Sequence, residues 1–259
     1  MISIIILAVV FVLIAIRQVG RFRLRIWHIM TGGAVAALAF GEITAADALK
    51  SINLDVMGFL LGMFILGQAL EESGYLAHLA GILFRKARSI DGLVLAILFG
   101  MGLLSAVLMN DTLAIVGTPV MLMLSRKNSV SPKILLLALA FGVTIGSVTS
   151  PIGNPQNLLI ASQGNLANPF ITFIKYLFVP TVVNLGAAYI LLRLFFRSHF
   201  NTQSLDHSPE LVRDQRLARL CRISLCIMLI TIIAKIGCVF LIPALDFRLI
   251  YIALAAALP

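Results

Sequence analysis

Apolar runs of about bilayer length recur along the whole chain, at 1–16, 26–40, 54–70, 92–125, 134–163, 171–192 and 223–242, with another begun at 247. A helix needs about 20 such residues to cross roughly 30 Å of hydrocarbon. The runs therefore predict an all-α polytopic membrane protein. A composition of 60% hydrophobic and 12% charged residues excludes a water-soluble globule, a disordered chain and a disulfide-rich module. Cys221, Cys226 and Cys238 lack C-x-x-C spacing, so they read as apolar packing residues and not as a metal framework.

The net charge of +9 does not point to nucleic acid, because the basic residues fall in short clusters between apolar runs. The first run has no basic leader and no small-residue cleavage site, and Arg17, Arg21, Arg23 and Arg25 follow it directly. It reads as an uncleaved helix with its N-terminus outside. Threading from there puts Arg85, Lys86 and Arg88, then Arg126, Lys127 and Lys133, then Arg193, Arg197 and the linker 198–218 with Asp206, Glu210 and Asp214 in the cytoplasm. Sixteen of the 20 lysines and arginines lie inside, with Lys50, Lys175 and Arg248 outside and Lys235 within a span. Between the third run and the fourth, residues 71–89 predict an interfacial helix, with Tyr75, Leu76, Leu79, Ile82 and Leu83 on its apolar face and Glu72, His78, Arg85 and Lys86 opposite. Gln68, Glu71 and Glu72 read as solvated at the end of the third helix, and His28 beside Trp27 as an interfacial anchor.

Two runs are interrupted by polar residues. The 34 residues from 92 to 125 are broken by Asn110, Asp111 and Thr112; a single crossing would strand the basic cluster 126–133 outside, so a re-entrant hairpin with its tip at 110–112 is expected. An ordinary loop between two short spans is the alternative. The run 134–163 is broken by S-P-I-G-N-P-Q-N at 150–157, which predicts a discontinuous helix with an unwound middle. Irregular backbone at membrane depth is tolerated only where it is buried in protein or lines a cavity. Half-helix N-termini favour an anion, and unwound carbonyls with side-chain oxygens suit sodium. The two breaks therefore read as one site. Lys235, deep in its run, is expected to be functional or ion-paired, with Asp111 as its partner. Gly58-x-x-x-Gly62 and Gly142-x-x-x-Gly146 mark close helix packing.

The motifs L-G-M-F-I-L-G-Q-A-L-E-E-S-G at 61–74, N-D-T at 110–112, T-P at 118–119 and S-P-I-G-N-P-Q-N at 150–157 resemble the ion transporter superfamily. Within it they are most similar to the arsenite permease, sodium/proton antiporter and citrate-transporter-like anion permeases. The resemblance covers roughly residues 40–165. It implies an inverted-repeat transporter in which each repeat supplies a re-entrant hairpin and a discontinuous helix. By that resemblance Asn110, Asp111 and Thr112 form the first hairpin tip, and Gly153, Asn154, Pro155, Gln156 and Asn157 the first unwound segment. Substrate and cation would bind there, sodium at Asn110, Asp111 and Asn154.

On this reading residues 1–197 are the first repeat, 198–218 a cytoplasmic linker and 219–259 the start of a second, so the chain is expected to be one half of a transporter and the beginning of the other. The expected function is secondary active transport of an inorganic or carboxylate anion coupled to sodium or protons, in the inner or plasma membrane. Sodium/proton antiport and a non-transporting membrane scaffold are the alternatives. An enzyme is not expected, since no nucleophile and base share a depth. Neither is a cofactor beyond a coupling sodium ion or proton. The expected partners are the small anion, the lipid bilayer and, as an option, a second copy in a homodimer.

Overall fold

A computed structural model of the chain describes residues 1–16, 18–19, 22–85, 87–164, 166, 168–200, 212–241 and 247–259. Arg17, Arg21, Lys86 and most of the linker, with Asp206 and Glu210, lie outside the described residues. Residues 1–54 and 55–259 form two compact units.

In the first unit α1 (Ile2–Ile16) and α2 (Ile26–Ala39) are joined through a two-residue antiparallel ladder that pairs Gln18 with Arg23 and Val19 with Phe22. The two helices approach closely at Gly33, where an added Cβ would come within 2.5 Å of Val10 Cγ2. At about 1.5 Å per residue each is roughly 22 Å long. Their bounds fall within one residue of the runs 1–16 and 26–40, and each is shorter than the roughly 30 Å of a bilayer's hydrocarbon core. Trp27 and His28 stack at 3.6 Å between ring centroids, with Trp27 exposed. A six-residue helix, α3 (Ala45–Lys50), starts on Thr44, whose Oγ1 accepts the Asp47 amide at 3.1 Å.

The second unit contains α4 (Leu54–Glu72), α5 (Tyr75–Phe84) and α6 (Ile90–Leu95), which passes through a π-helical segment at Ala96–Met101 into α7 (Gly102–Leu108). There follow α8 (Asn110–Asn128), α9 (Pro132–Gly146), α10 (Pro155–Gln163), α11 (Pro169–Phe195), α12 (Gln215–Leu241) and α13 (Ile250–Ala257). Local chemistry sets several starts. Ser89 Oγ accepts the Gly92 amide at 3.1 Å, Pro132 stands at the first position of α9, and Gly74, at φ 69°, makes the left-handed turn from α4 to α5. Among the described residues five stretches are long and apolar enough to cross a membrane: Leu54–Glu72, Ile90–Leu108, Pro132–Thr149, Pro169–Phe195 and Gln215–Cys238.

Glycines reveal the helix directions. A Cβ on Gly142 would meet the Ile97 and Leu98 carbonyl oxygens at 3.1 and 3.0 Å, and one on Gly146 would come within 2.2 Å of the Gly102 carbonyl oxygen. Residue numbers rise together along this contact, so the 90–108 leg and α9 are parallel. Gly117 instead packs on Leu139, and Ser125 Oγ donates to the Val130 carbonyl at 2.6 Å, so α8 and α9 are antiparallel. The 90–108 leg and α8 therefore form a hairpin. Gly58 lies against Ile250 and Gly62 against the Ala253 backbone, its missing Cβ only 2.8 Å from that carbonyl oxygen. The two G-x-x-x-G pairs are packing sites, as expected.

The expected apolar face of α5 divides between protein contact and exposure. Tyr75, Leu76, Ala80 and Phe84 are buried, while Ile82 and Leu83 are exposed at 52% and 37%. Because α5 packs against both the π-helical segment and α8, its inner face is chosen by two neighbours and not by a single membrane surface. Cys221 is buried as expected, at 1% exposure, but Cys226 is exposed on α12.

Candidate functional site

The hairpin turns at one residue, Met109, with φ 64° and ψ 140°. Asn110, Asp111 and Thr112 are not the loop. They are the first turn of α8. A non-glycine residue in this region costs on the order of 1–3 kcal/mol and persists only where its surroundings hold it. Here the Met109 side chain is fully buried, and the next amide, Asn110 N–H, donates to the Gly153 carbonyl at 2.9 Å. That bond joins the hairpin tip to the break in the second discontinuous element, and the two interruptions form one place in the fold.

The break runs from the 3-10 turn Ser147–Thr149 through Ser150–Asn154. Gly153 is required by close approach, since a Cβ there would come within 2.1 Å of the Ser147 carbonyl oxygen. Pro155 opens α10, where a missing N–H is no loss. The Asn154 Oδ1 accepts the Asn157 amide at 2.8 Å and its Nδ2 donates to Ser147 Oγ at 3.3 Å. Asn157 Nδ2 donates to the carbonyls of Ser147, Val148 and Ser150 at 3.2, 3.2 and 3.0 Å. Both asparagines are buried. Asn154 is thus a helix cap and Asn157 a staple across carbonyls that the unwinding sets loose. Each of these three carbonyls accepts from Asn157.

The side chains that remain are differently placed. Asn110 Oδ1 is buried and, among the described residues, without a hydrogen-bond partner. Asp111 is exposed in the first turn of α8, and Gln156 is exposed on α10. Thr112 is 5% exposed and packs against Gly67 of α4. The arrangement offers a buried amide oxygen and an exposed carboxylate where two helices begin, close to the Gly153 carbonyl.

Lys235 is 4% exposed, but it does not pair with Asp111. Its Nζ donates to the Phe247 carbonyl at 2.6 Å and lies over the Phe247 ring at 5.4 Å. It lines a cavity of about 410 Å³ with Asp55, Ser162 and Arg248. This cavity sits along α10, which leads away from the tip. Position within an apolar run fixed neither the lateral place of Lys235 nor its level relative to Asp111. Met109 and Ser147 were not identified from sequence, because a methionine and a lone serine in an apolar run carry no local signal. Arg193 Nε lies 3.4 Å from Asp91 Oδ1, and Tyr189 also donates to Asp91 at 2.5 Å, tying α11 to the foot of the hairpin.

An antiparallel helical hairpin whose tip hydrogen-bonds into the break of a discontinuous helix, among helices of membrane-spanning length, defines a polytopic integral membrane protein of the broken-helix kind. A family model described as citrate transporter matches residues 8–258, and the chain belongs to that family. It is 34% identical over 160 residues to a silicon efflux transporter of Oryza sativa subsp. japonica, covering 62% of this chain and 33% of that protein. It is 27% identical over 199 residues to the P protein of Sus scrofa, covering 75% and 24%, and 27% identical over 218 residues to a 46 kDa membrane protein of Mycobacterium leprae, covering 78% and 49%. The matched region thus spans from a quarter to a half of these curated relatives. The family is one of transporters and not of enzymes.

Proposed function

We propose that the chain forms part of a secondary active transporter that carries a small inorganic or carboxylate anion across the membrane, coupled to sodium or protons. The observation that carries this reading is the Asn110 amide bonded to the Gly153 carbonyl, with Asn110 Oδ1 buried and, among the described residues, without a donor. A buried acceptor left unsatisfied costs about 1–3 kcal/mol, and a cation offsets that cost when it binds. Sodium would take Asn110 Oδ1 and the Asp111 carboxylate; Asn154 Oδ1, already accepting the Asn157 amide, has one lone pair to add. The first-turn amides of α8 lack intrahelical acceptors and favour an anion next to that cation. The family description, citrate transporter, supports an anionic cargo.

Gly67 of α4 touches Thr112, and a pocket lined by Glu71, Gly74, Val116 and Val120 lies farther along both helices, so α4 and α8 run parallel. From Thr112, α4 rises about 18 Å to Asp55 and α8 descends about 22 Å to Lys127. Gly67 lies five residues, about 8 Å, from the end of α4 at Glu72, so the tip packs against the last turns of that helix. The N-terminus outside, the feet of the hairpin in the cytoplasm, residues 1–197 as the first of two inverted repeats, an inner or plasma membrane location and a homodimer complete the proposal.

The test is uptake of labelled citrate, arsenite and silicate into vesicles under imposed sodium or proton gradients, for the wild type and Asn110→Ala. Gradient-driven uptake that disappears in a correctly inserted Asn110→Ala supports the reading; equal uptake by both excludes the tip from transport. The exposed Asp111 carboxylate favours a second reading, sodium/proton antiport, in which that group itself exchanges the cations.

A further inference from the structure

We propose that Gly67 and Thr112 form the seat that sets the depth of the hairpin tip, with Thr112 acting as a positioning residue and not as a ligand-contacting one. The inference rests on the tip being part of the transport site.

Thr112 is 5% exposed, in contrast to its neighbour Asp111, which is exposed in the same helical turn. A Cβ on Gly67 would lie 2.7 Å from Thr112 Cγ2, 3.0 Å from its Oγ1 and 3.4 Å from its Cβ. The first two distances are shorter than ordinary van der Waals contact, and the partner is a short branched side chain with few rotamers to yield. A side chain at position 67 must therefore push on the backbone of the first turn of α8. That turn follows Met109, held in a strained conformation, and begins with the Asn110 amide that bonds Gly153. A shift of Thr112 away from α4 reaches that bond within two residues. Gly62, five residues earlier on α4, packs on the Ala253 backbone of α13, so one helix grips the tip with one glycine and α13 with the other. Five residues turn a helix through about 140°, and the two contacts lie on different faces.

The test is the labelling rate of a cysteine placed at Asp111, in the whole protein in vesicles, with the three native cysteines replaced by alanine and without substrate, so that the readout is independent of the anion carried. Gly67→Ala is expected to change the rate by about tenfold, the scale of an overpacked contact. Adding Thr112→Ser, which deletes the methyl nearest the new Cβ, brings the rate back toward that of the parent. Gly81→Ala serves as control, since nothing lies within 4 Å of a Cβ there. Should Gly67→Ala fail to accumulate in the membrane, recovery of its yield in the double variant carries the same inference. An unchanged rate in Gly67→Ala, or a defect that Thr112→Ser does not reverse, overturns the proposal.

Discussion

Residues with similar side chains divide here into those that hold the break together and one that remains available. Asn157 shares the two hydrogens of one amide nitrogen among three carbonyls, and Asn154 caps α10; among the described residues the buried Asn110 oxygen meets no donor. Opposite outcomes are expected on truncation. Asn157→Ala should lower the thermal midpoint of the purified protein, by about 1–3 kcal/mol of stability, since buried carbonyls lose their donor. Asn154→Ala should cost on the order of 0.5–2 kcal/mol as a lost cap and also impair uptake. Asn110→Ala should leave the midpoint unchanged or raise it without sodium, because an unsatisfied acceptor is removed, while abolishing any rise in midpoint that sodium gives the wild type. A sodium-induced rise of equal size in wild type and Asn110→Ala would contradict the assignment. The sequence displayed all three asparagines, but not their division of labour, because that depends on which carbonyls the unwound segment brings near each amide.

Elements were more legible than contacts. The expected boundaries 54–70, 134–163 and 171–192 lie within a few residues of α4, of α9 through α10 and of α11, because apolar runs, prolines and caps act locally. The hairpin expected over 92–125 is present over 90–128, but with its turn at Met109 instead of within Asn-Asp-Thr, since one residue of unusual backbone geometry reverses the chain. By length and composition the ascending leg, Ile90–Leu108, is able to cross a membrane alone. What argues for re-entry is packing: the leg runs parallel to α9, α8 runs back, and the tip ends against Gly153. Cysteines at Arg88 and Lys127 should therefore both resist a membrane-impermeant thiol reagent applied from outside. Labelling of just one of them would require two crossings. The close contact of Gly146 with Gly102 makes Gly146→Leu an expected failure of membrane yield, well beyond the cost of an ordinary core substitution.

At the scale of the whole molecule, the coupling group is the question the fold sharpens. With Lys235 bonded to the Phe247 carbonyl instead of Asp111, Asp111→Asn should not leave a buried ammonium stranded, and normal insertion is expected. Loss of sodium or pH dependence with retained downhill flux would identify Asp111 as the coupling group, whereas intact coupling in vesicles bearing Asp111→Asn would remove it from the mechanism.

The sequence by itself determined that the chain is an all-helical membrane protein, where several of its long helices begin and end, and that two of its long runs are interrupted, since hydropathy, proline and capping are properties of neighbouring residues. Only the tertiary structure decided that the two interruptions meet at the Asn110–Gly153 bond, that Thr112 turns to Gly67 while Asp111 remains exposed, and that Lys235 serves a different cavity. Those outcomes rest on glycine contacts between helices far apart in the chain, and close approach between backbones leaves no trace in the periodicity of either helix.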